Sequence, residues 1–371
     1  MRIGVPREIK VHEYRVGLTP SSVRELVANG HEVLVERGAG GGIGATDETY
    51  EKAGARIAAD AAQVFAEADL VVKVKEPQAP EIARLRPGQV LFTYLHLAPD
   101  PQQCKGLIAS GAACIAYETV TQPGGGLPLL APMSEVAGRM AIQAGGHCLE
   151  KAHGGMGVLL GGVPGVPPAK IVILGAGVVG LNAAQMAVGS GAVVVAIDRS
   201  IDALRRIDHV LGARVVTVFS HRDSIEHHVR TADLVVGGVL IPGAAAPKLV
   251  GRDLVRQMKP GSVVVDVAID QGGCFETSRP TTHAEPTFVV DGVVHYCVAN
   301  MPGAVPRTST YALNNATLQF TLQLANLGWK KALAANPHLR AGLNVCEGKV
   351  THREVAEALG HAFHDPAALL A

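Results

Sequence analysis

Short apolar runs rich in β-branched residues recur along the chain, each closed by a Gly, Pro or Asp break and most followed by a stretch with helical periodicity. The runs are RIGV (2–5), HEVLVE (31–36), LVVKVK (70–75), VLFTYL (90–95), AACIAY (112–117), KIVILG (170–175), AVVVAI (192–197), RVVTVF (214–219), DLVVGGV (233–239) and SVVVDVAI (262–269). Most are apolar at every position instead of alternating, as expected of parallel strands covered by helices on both faces. Thr19-Pro20 opens a helix that Gly30 ends, with Ser22 and Glu25 spaced for a capping box. Further helices are predicted from about Ser134 to Lys151 and from after Pro306 to about Leu327. The pattern predicts an α/β fold of doubly wound, Rossmann-like parallel sheets. Two blocks, roughly 1–128 and 170–300, flank a Gly/Pro-rich junction at 154–168, the composition of a domain edge or flexible connection. The tail after about 306 shows helix and no strand of its own.

Composition narrows the class. The 371 residues suit two or three domains at about 150 residues each. Charged residues make up 18%, below the usual value of about 25%, so much of the chain must be buried. Lys+Arg and Asp+Glu are both 33, and this neutrality disfavours nucleic-acid binding, which needs clustered cations. It also leaves little charge repulsion against self-association. The six cysteines, at 104, 114, 148, 274, 297 and 346, contain no C-x-x-C and read as reduced, mostly buried thiols of a cytoplasmic protein. The N-terminus lacks the apolar core of a signal peptide. The 27 uncharged residues between Lys170 and Asp198 are long enough for a membrane span, yet five glycines, Asn182 and Gln185 argue against one.

That uncharged stretch carries the strongest motif, Gly175-Ala176-Gly177-Val178-Val179-Gly180. It follows the strand KIVIL, opens a helix, and leads to a second strand ending at Asp198, 23 positions after the first glycine. This is the context that a dinucleotide fingerprint requires. Gly175 permits the tight turn, Gly177 admits a pyrophosphate to the backbone, and Gly180 lets helix and strand pack closely. The helix N-terminus favours the phosphates. Asp198 is suited to a ribose diol and repels a 2′-phosphate, which points to NAD over NADP, although Arg199 next to it offsets part of that preference.

In open α/β sheets, chemistry gathers beyond the carboxyl ends of strands. Lys75, His96 and Asp270 follow such runs, and Arg15 lies in the loop after the first. Arg15 and Lys75 suit a carboxylate, His96 suits proton transfer, and Asp270 suits the placing of a water. Each also has a plain structural reading: Arg15 paired with Glu13, Lys75 solvated, His96 a satisfied strand-end residue, Asp270 the cap of a turn.

The segments IGVPREIKVHEYRVGLTP, VVKVKEP, LFTYLHLA, LPLLAPMSEVAGR, ILGAGVVG, PGAAAPKLV, DVAIDQGGCFETSRPTTH and YCVANMPGAVPRTSTYAL are distinctive in combination. Through them the sequence resembles the bacterial L-alanine dehydrogenase family, relatives of the nucleotide-binding part of transhydrogenase, along essentially its whole length. The resemblance implies NAD-dependent, reversible oxidative deamination of L-alanine to pyruvate and ammonium, and a homohexamer. It implies a discontinuous substrate domain, 1–128 plus 307–371, and an NAD-binding domain, 129–306, with the helices at 134–151 and 307–327 running between them. Arg15 and Lys75 match substrate-carboxylate positions, and His96 and Asp270 match the catalytic pair. Cofactor contacts match Ser134, Gly175, Gly177, Val178, Val179, Gly180, Asp198, Ser220, Val239, Leu240, Val267, Ala268, Ile269, Asp270, Arg279, Val298, Asn300 and Met301. Ala203 stands where a basic residue is common beside the adenosine. Gln323 and Leu327 stand where some members place magnesium ligands, so no metal is expected.

Overall fold

The computed structural model describes residues 1–239 and 246–370. The chain divides into two compact units, Met1–Met133 with Val305–Ala371, and Ser134–Ala304. The Gly/Pro-rich stretch 154–168 is therefore no boundary and lies inside the second unit.

The first unit opens with six strands, β1 (Arg2–Val5), β2 (Glu32–Glu36), β3 (Arg56–Ala58), β4 (Leu70–Val72), β5 (Val90–Thr93) and β6 (Ala113–Ala116). They lie side by side in the order β3-β2-β1-β4-β5-β6, all parallel. The sheet therefore reverses direction between β1 and β4, the position at which doubly wound sheets place their ligands. The helix Pro20–Ala28 is capped by Thr19, whose side chain accepts from Ser22 N at 3.2 Å, and not by a Ser22–Glu25 box.

The second unit repeats this order. Strands β7 (Lys170–Leu174), β8 (Val193–Asp198), β9 (Val215–Phe219), β10 (Leu234–Gly237), β11 (Val263–Asp266), β12 (Thr287–Val290) and β13 (Val293–Tyr296) are arranged β12-β13-β11-β10-β7-β8-β9. All are parallel except β12, which pairs antiparallel with β13 at the edge. The alternate residues of β7 explain its unbroken apolarity: Ile171 and Ile173 enter one core cluster, Val172 and Leu174 another on the opposite face. The β12–β13 hairpin turns at Asp291-Gly292, both with positive φ, which matches the twist of the paired strands.

The tail returns to the first unit and is not strandless. After the helix Pro306–Leu327, β14 (Leu343–Cys346) and β15 (Lys349–Val350) extend the first sheet antiparallel from β6. The two strands are short and turn at Glu347-Gly348, again with both φ positive. All six cysteines are buried and unpaired. Among the described residues, no helix is long and apolar enough to cross a membrane.

Candidate functional site

The second unit forms a glycine cradle at the carboxyl end of β7. Gly175 has φ of 103°, and a Cβ there would come within 2.8 Å of Gly238 O. A Cβ at Gly180 would fall 1.8 Å from Gly175 O, so only glycine lets the helix Val178–Gly189 start this close to the strand. At Gly177, the N-cap of that helix, a Cβ would meet nothing within 4 Å, which leaves the backbone open to an approaching phosphate. Asp198, at the end of β8, accepts from Ala176 N at 2.6 Å and from Ser200 N at 2.7 Å, and so ties the glycine turn to its neighbouring strand. Ser220 N donates to Asp198 O at 3.0 Å. The cradle thus gathers Gly175, Val179, Gly180, Asp198, Ser220 and Val239, and its shape fits a dinucleotide pyrophosphate.

Other positions singled out from sequence lie along the same unit. A Cβ at Gly138 would come 2.3 Å from Val179 O, so the helix Ala131–Cys148 packs hard against the cradle helix and places Ser134 one turn before the contact. Val267, Ala268, Ile269 and Asp270 form a short 3-10 turn directly after β11. Asp270 is exposed, and Asp266, not Asp270, precedes the turn as its N-cap. Asp266 is fully buried and accepts from Cys274 N and Phe275 N, so it folds the loop that carries Asp270. Burial holds its carboxyl above the ordinary range. Val298 and Met301 are buried, the Asn300 carbonyl pairs with His283 Nε2 at 2.8 Å, and exposed Arg279 lies over the Phe288 ring at 4.5 Å. Ala203 is buried in the helix Ile201–Leu211. Leu240 falls outside the described residues.

In the first unit, Arg15, Lys75 and His96 follow β1, β4 and β5, three adjacent strands of one sheet. Arg15 is buried and forms a two-point fork with Glu13, Nε to Oε1 at 2.6 Å and Nη2 to Oε2 at 2.5 Å. Burial lowers the Arg15 pKa, but Glu13 outweighs it and the guanidinium is held above its ordinary value. Lys75 Nζ stands 3.3 Å from Glu76 Oε2. His96 carries a left-handed backbone, φ 48°, a conformation costing a non-glycine residue about 1–3 kcal/mol and concentrated at functional sites. Glu118 holds it there by accepting from His96 N at 2.6 Å, and the imidazole stacks on Tyr94 at 5.7 Å. The side chain itself stays 41% exposed, with Nδ1 3.9 Å from Glu118 Oε1.

Beneath these residues lies a charge cluster that periodicity does not reveal. Lys73 is fully buried, donating to Glu8 at 3.0 Å and to Glu81 at 2.7 Å. Glu8 also accepts from Val74 N at 2.7 Å and Lys75 N at 3.3 Å, which fixes the backbone that presents Lys75. Burial and the neighbouring carboxylates raise the Glu8 carboxyl. The signal was present in LVVKVK: a lysine inside an apolar run requires a buried acidic partner.

Two doubly wound units, one bearing a glycine cradle with an acidic strand end, define the class as nucleotide-binding α/β proteins. Residues 4–137 match the family "Alanine dehydrogenase/PNT, N-terminal domain", residues 141–353 match its "C-terminal domain", and the chain belongs to that family. Alanine dehydrogenase of Halomonas elongata is 63% identical over 370 residues, covering 100% of each chain. A solved L-alanine dehydrogenase superposes with a TM-score of 0.94 at 51% identity, over 97% of this chain and 99% of its own. A transhydrogenase from Sinorhizobium meliloti follows with a TM-score of 0.80 at 28% identity, over 95% and 99%.

Proposed function

We propose that this chain catalyses the NAD-dependent, reversible oxidative deamination of L-alanine: alanine, NAD⁺ and water give pyruvate, ammonium, NADH and a proton. It is an oxidoreductase acting on the CH–NH2 group of the amino acid. The observation that carries this reading is full-length likeness to alanine dehydrogenases in both sequence and fold. The choice of NAD rests on Asp198, whose carboxylate at the end of β8 accepts from ribose hydroxyls and repels a 2′-phosphate.

When bound, the nicotinamide supplies a two-electron acceptor for the Cα hydride. Arg15 and Lys75 hold the substrate carboxylate, with the two-point fork to Glu13 fixing the plane of the Arg15 guanidinium. Fixing reactants in this way supplies up to roughly 7–11 kcal/mol of the barrier. His96 moves protons as water adds to the iminium carbon and ammonia leaves, while Asp270 orients that water. In this reading the first unit binds the amino acid and the second binds NAD. The assembly is a homohexamer of the reducing cytoplasm, a compartment that suits six unpaired thiols.

The test is NADH formation from L-alanine and NAD⁺ at alkaline pH, where the amine loses its proton, with NADP⁺, glycine, L-serine and D-alanine in parallel. Turnover confined to L-alanine with NAD⁺ is expected. NAD binding without turnover of any amino acid would instead favour a transhydrogenase-like nucleotide carrier, the reading that the second solved relative supports.

A further inference from the structure

We propose that His147, Glu150 and His153 bind one divalent transition-metal ion of the zinc class on the surface of the second unit. This departs from the expectation of no metal, which concerned the late helix at Gln323 and Leu327. Among the described residues, these three form the one group of His, Cys, Asp or Glu side chains able to converge on an ion, with one ligand atom from each lying within 4.8 Å of the others.

The backbone builds the site. His147 sits in the last turn of the helix Ala131–Cys148, and Glu150 precedes the short turn Lys151–His153. Gly154, with φ of 86°, then reverses the chain. At Gly155 a Cβ would come 2.3 Å from Cys148 O, so only glycine lets the strand of chain fold back onto the helix end. Gly155 N donates to Glu150 O at 3.1 Å, Gly157 N to Leu149 O at 2.8 Å, and Met156 N to Gly261 O at 2.9 Å. These bonds fix the three Cα positions before any ion arrives, so little ordering remains to be done on binding.

One donor atom from each of the three side chains lies within 4.8 Å of the others, and the two shorter contacts involve different oxygens of Glu150. His147 Nδ1 is 3.5 Å from Glu150 Oε1, and His153 Nε2 is 3.8 Å from Glu150 Oε2. Zinc–nitrogen bonds of about 2.0–2.1 Å in a tetrahedral shell separate neighbouring donors by roughly 3.4 Å. Small rotations of exposed side chains close the difference. The two imidazole rings lie 3.8 Å apart. Two imidazoles and one carboxylate suit Zn²⁺, Ni²⁺ or Cu²⁺ and not the oxygen-seeking Mg²⁺ or Ca²⁺. A cavity of about 290 Å³, bordered by both histidines with Met140, Gln143 and Tyr296, leaves room for water or a small anion at the fourth position. The ion would staple the helix end to its following turn and stabilise the fold by mass action.

Chelator-treated full-length protein titrated calorimetrically with ZnCl₂ tests this, with Co²⁺ absorption reporting coordination. One ion per chain is expected. His147→Ala and His153→Ala should each weaken binding by more than about tenfold, at or above the loss seen when a partner of a ligand is removed. Because the three side chains are 60%, 61% and 41% exposed, the metal-free variants should keep the parent's fold and its alanine oxidation rate. Absence of saturable Zn²⁺ binding would overturn the proposal, as would undiminished binding in the His147→Ala/His153→Ala double variant.

Discussion

At the scale of single residues, the two sets of candidates owe their positions to different forces. Gly175 and Gly180 are dictated by steric exclusion, since a methyl group at either would meet a backbone carbonyl. His96 is held by partners: Glu118 takes its N–H and Tyr94 stacks on its ring, and together they sustain a backbone that histidine rarely adopts. The proposed function gives this residue the proton transfers. His96→Ala is therefore expected to lower kcat for alanine oxidation by about 10²–10⁴-fold, the usual range for a lost acid–base group, with little change in KM. Steady-state kinetics on the purified variant checks this, and a kcat near that of the parent would assign proton transfer to another group. The glycine motif, Asp198 and His96 were legible in the sequence, because each stands at a strand end. Glu8 and Glu118 were not, because their partners lie 65 and 22 positions away along the chain.

Elements came through less evenly. Strands that are buried on both faces announced themselves by continuous β-branched runs, although the observed strands are shorter than the runs; β4 stops at Val72, before both lysines of LVVKVK. The β12–β13 hairpin was missed although it carries a clear local sign, an Asp-Gly pair between FVV and VVHY. The β14–β15 pair was missed for a better reason. Four- and two-residue strands have too little periodicity to read, and their stability comes from the exposed edge of β6 that they cover. Helix starts obey local capping chemistry, though at Thr19 and not at Ser22. Thr19 is buried, so its loss leaves Ser22 N without a partner at the helix start. Thr19→Ala should destabilise the fold by about 1 kcal/mol, within the range of about 0.5–2 known for lost caps, and Thr19→Ser by less. Urea unfolding decides the point, and an Ala variant as stable as the parent would show that the cap contributes nothing.

For the molecule as a whole, buried carboxylates pull the acid response in opposite directions. Burial raises the Glu76 carboxyl, but Lys75 and Lys10 outweigh it and bring it down from 4.5 to about 2. The unfolded chain then binds more protons than the folded one between those values. Stability from Glu76 is therefore complete above pH 4.5 and lost as pH falls through about 2. Glu8 and Asp266, both raised, act in the reverse sense and favour the folded state as they take up protons. Glu76→Gln should thus flatten the fall of unfolding free energy below pH 4.5, by at most about 1.4 kcal/mol per pH unit, and leave the slope above pH 5 unchanged. Urea titrations at several pH values between 3 and 6 measure this; parallel curves for variant and parent would rule it out.

What the sequence determined by itself was local and repetitive: strand identity, the glycine turn, the acidic residue at the end of β8, and the helical reach from Pro306 to Leu327. These features are written in consecutive residues, because a strand's two faces and a helix's stripe are set by period 2 and period 3.6. Tertiary structure alone decided the antiparallel pairing of the tail's strands and which carboxylates, Glu8 and Glu81, enclose Lys73. A buried charge is tolerated only where carboxylates from other segments converge on it. That convergence exists only after the strands have assembled, and the lysine within LVVKVK calls for an acidic partner without specifying which.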